Sequence, residues 1–266
     1  SPRPSPTVAT IVAAASGGEG WRSAALFAMS DTGEATPAGL TAPRAVMGQA
    51  DEALGEGSCT LIDTVNALHV TLLAADMELG DADEAALAQG RNLCLLGREL
   101  LQFSRAVQTG PASFRLEGLR RGLCGTEWAV AGHAAGERFL LIEEERLAEP
   151  FAGQGSGEIG GGLRLAAIGI GDAEPVEAML TVSGEAVTPA APVHVRAVSD
   201  GIGGWNLSWV RRSRSGWRWI SGADVPIGEE SERYELRVLS SESLLCRVET
   251  TSPPWILRRT CSMITS

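Results

Sequence analysis

The chain has 266 residues, 44% of them apolar and 21% charged, with 32 glycines and 13 prolines, which is enough to bury one large core or two ordinary ones and excludes a disordered tail or a fibrous repeat. Its 22 basic residues are all arginine and stand against 33 acids for a net charge of −11, a balance that opposes nonspecific binding to DNA. The longest apolar run near the start, Val8 to Ala15, is far shorter than the roughly 20 residues a helical membrane span needs.

Residues 1–20 mix Pro, Ser, Gly and Ala and read as a linker, with the fold expected to start near Trp21. The chain opens on neither Met nor a basic signal-like segment, so an upstream region is expected. Charge is uneven: residues 1–90 carry 3 arginines against 12 acids, 91–149 carry 8 against 8, 150–190 carry 1 against 5, and 191–266 carry 10 against 8. Such shifts imply at least two structural units. Short apolar runs at Ala24–Met29, Thr60–Ile62, Leu68–Leu73, Leu93–Leu96, Leu100–Val107, Phe114–Leu119 and Phe139–Ile142, bounded by Gly, Asp or Pro, predict strands. Ala82–Leu87, rich in helix formers after a run of acids, predicts a helix. Leu93–Phe103 fits either period, and Gly97-Arg98 in its middle favours a hairpin with a tight turn. These elements make a first β unit over residues 21–150.

Residues 151–190 are a Gly-rich β segment, expected to cross between units or to run as an irregular strand. Gly155, Gly157 and Gly160 match a dinucleotide-binding fingerprint by spacing, but no strand precedes them and further glycines stand where the helix should begin, so no cofactor is assigned. From 191 to 250 the alternation becomes strictly two-residue: Val193, Val195 and Ala197, then Trp205, Leu207 and Trp209, then Trp217 and Trp219, then Tyr234, Leu236 and Val238. That pattern predicts a small β-sandwich of the immunoglobulin or fibronectin type III kind, with residues 251–266 as a C-terminal tail. Asn206-Leu207-Ser208 is a glycosylation acceptor in form only, since it sits mid-strand. The fold class is therefore mainly β.

The five cysteines, at 59, 94, 124, 246 and 261, form no C-x-x-C pair and have no histidine at ligand spacing, which argues against zinc. Cys94 and Cys246 lie in apolar runs and read as small core residues, and reduced thiols fit best. Glu143-Glu144-Glu145 reads as a solvated strand end, because neighbouring strand residues point to opposite faces and cannot flank one bond. Asp76, Glu78, Asp81, Asp83 and Glu84 read as an exposed acidic turn without the spacing of a calcium loop. Trp205, Trp209, Trp217 and Trp219 are expected in the sandwich core, with Arg211, Arg212, Arg214 and Arg218 on an edge or interface.

Two stretches carry a family resemblance. The first runs from Gln89-Gly90-Arg91-Asn92 through Glu99 and Gln102-Phe103, Phe114-Arg115-Leu116 and Leu119-Arg120-Arg121-Gly122-x-x-Gly125-Thr126-Glu127 to His133, Gly136 and Phe139. The second runs from Trp205 to Arg214, through Gly216-Trp217-x-Trp219, to Pro226-x-Gly228-Glu229-Glu230-x-Glu232-x-Tyr234. In order and spacing these resemble the baseplate hub protein of gene transfer agents and related siphophages, itself distantly similar to the host-specificity tail-tip protein of lambda-like phages. The likeness covers roughly residues 20–250, the C-terminal portion of such hub proteins, and lacks their long upstream part.

The resemblance implies a tail-hub-type β domain over 21–150 followed by a fibronectin III-like module over 191–250. It also implies a virion protein at the distal end of a tail, in a homo-oligomer, by resemblance a trimer, contacting neighbouring tail and fibre proteins, with a host surface receptor as a further candidate partner. No catalysis, cofactor or metal is expected, and no direct nucleic-acid binding. The motif residues Arg120, Arg121, Gly122, Gly125, Thr126, Glu127, His133, Arg211, Arg212 and Arg214 are read as structural or interface groups. Gly122 and Gly125 permit positive φ at a tight turn, Thr126 is placed to cap it with Glu127 behind, and Arg120 or Arg121 to pair with Glu127 or a neighbouring subunit. His133 is read as a turn or interface hydrogen-bonder. A Cys124 nucleophile with His133 as base has no orienting third residue in the sequence. The alternative function is a free-standing adhesion or carbohydrate-binding β-sandwich using the tryptophans.

Overall fold

The computed structural model describes residues 11–151, 159–185, 188–202, 204–213, 231–240, 243–252 and 255–257. It is mainly β and divides into two units, Ser1–Ala186 and Val187–Ser266. In the first unit the strands are β1 (Ala13–Ala14), β2 (Ala24–Met29), β3 (Ala35–Leu40), β4 (Met47–Ala50), β5 (Leu68–Leu72), β6 (Leu93–Leu96), β7 (Glu99–Gln108), β8 (Ser113–Arg120), β9 (Arg138–Leu141), β10 (Leu147–Ala148), β11 (Gly162–Gly169) and β12 (Val176–Thr181), with one short helix, α1 (Glu84–Ala88).

Six of these strands close a barrel in the order β4-β5-β8-β7-β6-β9, every neighbouring pair antiparallel. Closure leaves no free edge among the six. Inside it Leu68, Val70, Cys94, Leu96, Leu101, Phe103, Leu116, Leu119 and Phe139 are at most 1% exposed, each large apolar side chain contributing about 1.5–3 kcal/mol by leaving water. The Gly97-Arg98 turn joins β6 and β7 as a hairpin with Gly97 at φ +56°, as its sequence predicts. The helix starts two residues later than predicted and ends one later. Asp83 caps it by accepting from Ala86 N–H at 2.8 Å, and Leu87 is its buried residue.

Thr60–Ile62, expected as a strand, lies instead in an irregular loop spanning 51–67, with Leu61 and Ile62 turned outward. The fold also begins before Trp21, since β1 pairs with β10. The Gly-rich segment supplies β11 and β12, which join β2 and β3 in a sheet of order β12-β11-β2-β3. Glu143–Glu145 follows β9 with Glu144 and Glu145 exposed, as expected, and runs into a 3-10 turn at Glu144–Arg146, where Glu143 pairs with Arg146 at 2.5 Å. The acidic residues 76–84 are divided among several tasks. Asp76 pairs with Arg44 at 2.6 Å, Asp81 accepts from Ala106 N–H, Asp83 caps the helix and Glu84 pairs with Arg120.

In the second unit β13 (Val193–Ser199), β14 (Trp205–Val210) and β17 (Trp255–Leu257) form one antiparallel sheet, and β15 (Tyr234–Ser240) pairs with β16 (Ser243–Thr250). Trp209 is 6% exposed and packs edge-to-face on Tyr234 with ring centroids 4.9 Å apart, linking the two sheets. Tyr234, Leu236 and Val238 alternate inward as predicted. Trp205, expected in the core, is 46% exposed, because it opens β14 at the end of the sheet, beyond the part that Tyr234 covers. β13 departs as well: its register breaks between Val193 and Arg196, His194 sits at φ +53°, and Val195 is exposed. Cys246 is buried as its apolar run predicts, but it is disulfide-bonded rather than reduced. Trp217, Trp219, Arg214, Arg218, Gly155 and Gly157 lie outside the described residues.

Candidate functional site

Along β7 the inward positions are Glu99, Leu101 and Phe103, so strand parity alone carries a carboxylate to the end of the barrel core. Glu99 is fully buried and its charge is met by Arg121, also fully buried, which follows the last residue of β8. Arg121 Nε donates to Glu99 Oε1 at 2.9 Å and Nη2 to Oε2 at 2.9 Å, a bidentate fork. The remaining donors of the guanidinium are used too. Nη1 donates to the Gly55 carbonyl at 2.8 Å and to Asp63 Oδ2 at 3.3 Å, and Nη2 to the Val130 carbonyl at 3.3 Å. One side chain thus ties the 51–67 loop, β7 and the segment after β8 together.

His133 lies against the same carboxylate. Its Nε2 is 2.7 Å from Glu99 Oε2 and its Nδ1 2.6 Å from Glu137 Oε2, with the imidazole 3% exposed. Only the imidazolium has a hydrogen for both contacts. Gly122 completes the arrangement: it takes φ +61°, its N–H donates to Glu99 Oε1 at 2.7 Å, and a Cβ there would stand 2.9 Å from both Cys59 Sγ and Glu127 Cα. Asp63 holds its own loop, Oδ1 accepting from the N–H groups of Val65 and Asn66 and Oδ2 from the Asn66 amide. Burial pushes the Asp63 carboxyl up, but those hydrogen bonds and the Arg121 charge outweigh it and hold the group below the ordinary carboxylate value. Cys94, buried nearby, has its thiol pushed well above the usual range by desolvation and by the charge of Glu99, which suppresses the thiolate.

Arg121, Gly122 and His133, singled out by motif, therefore converge on one cluster. Arg120 faces away and pairs with Glu84, so the arginine partners at this turn are Glu84, Glu99 and Asp63, residues distant in sequence. Gly125 takes φ +88° in the 3-10 turn Leu123–Gly125, and Glu127 opens the next, Glu127–Ala129. Thr126 does not cap through its side chain. Its hydroxyl donates to the Leu123 carbonyl at 2.7 Å and accepts from Leu100 N–H at 2.9 Å, pinning the turn to β7. Arg211 and Arg212 are half-buried in the second unit.

Glu99, which stands in the first motif stretch, and Asp63 and Glu137, which were not singled out, complete the cluster. The signal for Glu99 was its parity with Leu101 and Phe103, whereas Asp63 and Glu137 sit in loops whose course no local pattern reveals. Other motif residues are spent in the same way. Asn92 donates to the Gly80 and Phe103 carbonyls at 2.8 and 3.1 Å, and Gln102 to those of Leu87 and Arg91 at 3.0 and 2.6 Å. Arg98 lies 4.5 Å over the Trp128 ring and pairs with Glu185. Among the described residues no group of three or more His, Cys, Asp or Glu side chains is arranged to hold a metal ion.

Residues 45–140 match a protein-family model described as "Rcc01698-like, C-terminal". That range is almost that of the barrel, from the start of β4 to β9. No curated protein matches the chain.

Proposed function

We propose that this protein is a structural component of the distal hub or tip of a phage or gene transfer agent tail, acting through its surfaces as a homotrimer that scaffolds assembly and fibre attachment. Host-surface recognition by an exposed face belongs to the same reading. The observation that carries it is the use made of the motif residues behind the resemblance. Asn92, Glu99, Gln102, Arg121 and Gly122 serve to hold a closed barrel, with the first four at most 7% exposed. A cluster so enclosed offers its carboxylates and imidazole to one another rather than to a substrate, and its bidentate and backbone contacts are those of a rigid scaffold. The family match covers the same stretch and describes a C-terminal part, in keeping with a C-terminal portion of a larger hub protein.

Gold-labelled antibody on purified particles, with mass spectrometry of the same preparation, tests this. The expected result is label confined to the tail end; a protein absent from the particles would discard the reading. The half-exposed Trp205 favours a second reading, a carbohydrate-binding module. Tryptophan fluorescence unchanged by added oligosaccharides removes it.

A further inference from the structure

We propose that the loop between β4 and β5, residues 51–67, is a docking surface for a different protein that presents an apolar pocket with a basic rim. The proposal rests on the assembly reading and adds to it the chemistry of one partner.

Three observations meet in this loop. Leu61, Ile62 and Val65 are 72%, 49% and 91% exposed, branched apolar side chains close together along one loop rather than singly scattered ones. The backbone beneath them is clamped. Asp63 and Leu119 exchange backbone hydrogen bonds at 2.8 and 3.0 Å, Asn66 donates to the Glu56 carbonyl at 2.9 Å, and Arg121 reaches the Gly55 carbonyl. A loop held in this way loses little conformational freedom when it binds.

Charge then selects the partner. Residues 51–66 contain four carboxylates and no arginine or lysine. Asp63 is turned inward to Arg121, which leaves Asp51, Glu52 and Glu56 exposed in the same loop, with His69 standing 3.8 Å from Glu52. Such a surface repels anionic lipid and nucleic acid and complements a basic rim. A second copy of the first unit is disfavoured on the same ground, since residues 1–186 carry 12 arginines against 25 acids.

The test places a photoreactive benzophenone amino acid at Val65 of the full chain, made in its own producing cells and irradiated before lysis, with the same group at the exposed Thr32 as control. The expected result is an adduct with one other protein, at a peptide where Arg or Lys flanks apolar residues. Its yield should fall about tenfold when Asp51, Glu52 and Glu56 are replaced by Asn, Gln and Gln. An adduct with a second copy or with lipid, a yield indifferent to those three charges, or none above the Thr32 control, overturns the proposal. Mass spectrometry of particles from the same culture separates the two readings. An adduct formed by a protein absent from particles fails the hub reading alone, and no adduct from a particle-bound protein fails the docking surface alone.

Discussion

Arg121 and Glu99 are both removed from water, and the cost of that is met only while each has the other. Replacing Arg121 with Met strands Glu99 and Asp63 and is expected to cost about 3–5 kcal/mol in urea unfolding. The double replacement Arg121→Met with Glu99→Leu is expected to cost less than the sum of the single ones, because Glu99 is then not left buried without its arginine. Additive costs would show that the pair is not coupled. Asp63 adds a pH dependence of definite sign. Its folded-state carboxyl is held below the ordinary 3.8, so its contribution is present above that value and lost as pH falls through the folded one. The stability gap between wild type and Asp63→Asn should accordingly be widest near neutrality and shrink below about pH 3.8. A gap that stays constant down to pH 2 would deny the linkage. Cys94, with its thiolate suppressed and its thiol enclosed, is expected to resist iodoacetamide in the native protein and to react on unfolding, whereas Cys246 should react only after reduction. Peptide mapping of the alkylated chain reads both.

Among the elements, β7 and β8 show how a local irregularity builds the site. Leu116 and Leu119 are both fully buried though three residues apart, which a regular strand does not allow. Gly118, at φ +63°, lies between them, and a Cβ there would stand 2.1 Å from Ser104 Oγ. This change of parity aims Arg121 into the barrel end. Gly118→Ala is therefore expected to destabilise by about 1–3 kcal/mol, and circular dichroism melts of the variant measure it; an unchanged melting temperature would refute the requirement. Five of the six barrel strands, β5 to β9, were legible from apolar runs and turn residues, and β6–β7 even to its turn. β3 and β4 were not, because β3 is almost wholly exposed and β4 is only four residues long with Gly48 and Gln49 inside it. In the second unit alternation was a sound guide at Tyr234, Leu236 and Val238 but misled at Val195 and Trp205, where the sheet ends or loses register before a second layer covers it. The cluster itself was half legible. Motif stretches supplied Glu99, Arg121, Gly122 and His133, while Asp63 and Glu137 join them only once the barrel closes.

For the whole molecule, the division of charge follows the division of structure. The first unit is strongly acidic on its surface, having committed key arginines and acids to internal pairs, and the second is slightly basic. A protein so arranged suits recognition by neighbours of complementary charge. The alternative is chemistry at His133 and its carboxylates, and the two make different demands on variants of the cluster. The deciding measurement takes Arg121→Lys, Glu99→Gln and His133→Gln, and for each compares particle infectivity or transfer activity with the folded fraction and with the amount incorporated into particles. If the cluster is a scaffold, activity follows folded and incorporated protein across all three variants. A variant that folds and is incorporated at wild-type levels yet is inactive would contradict this and place chemistry at the cluster.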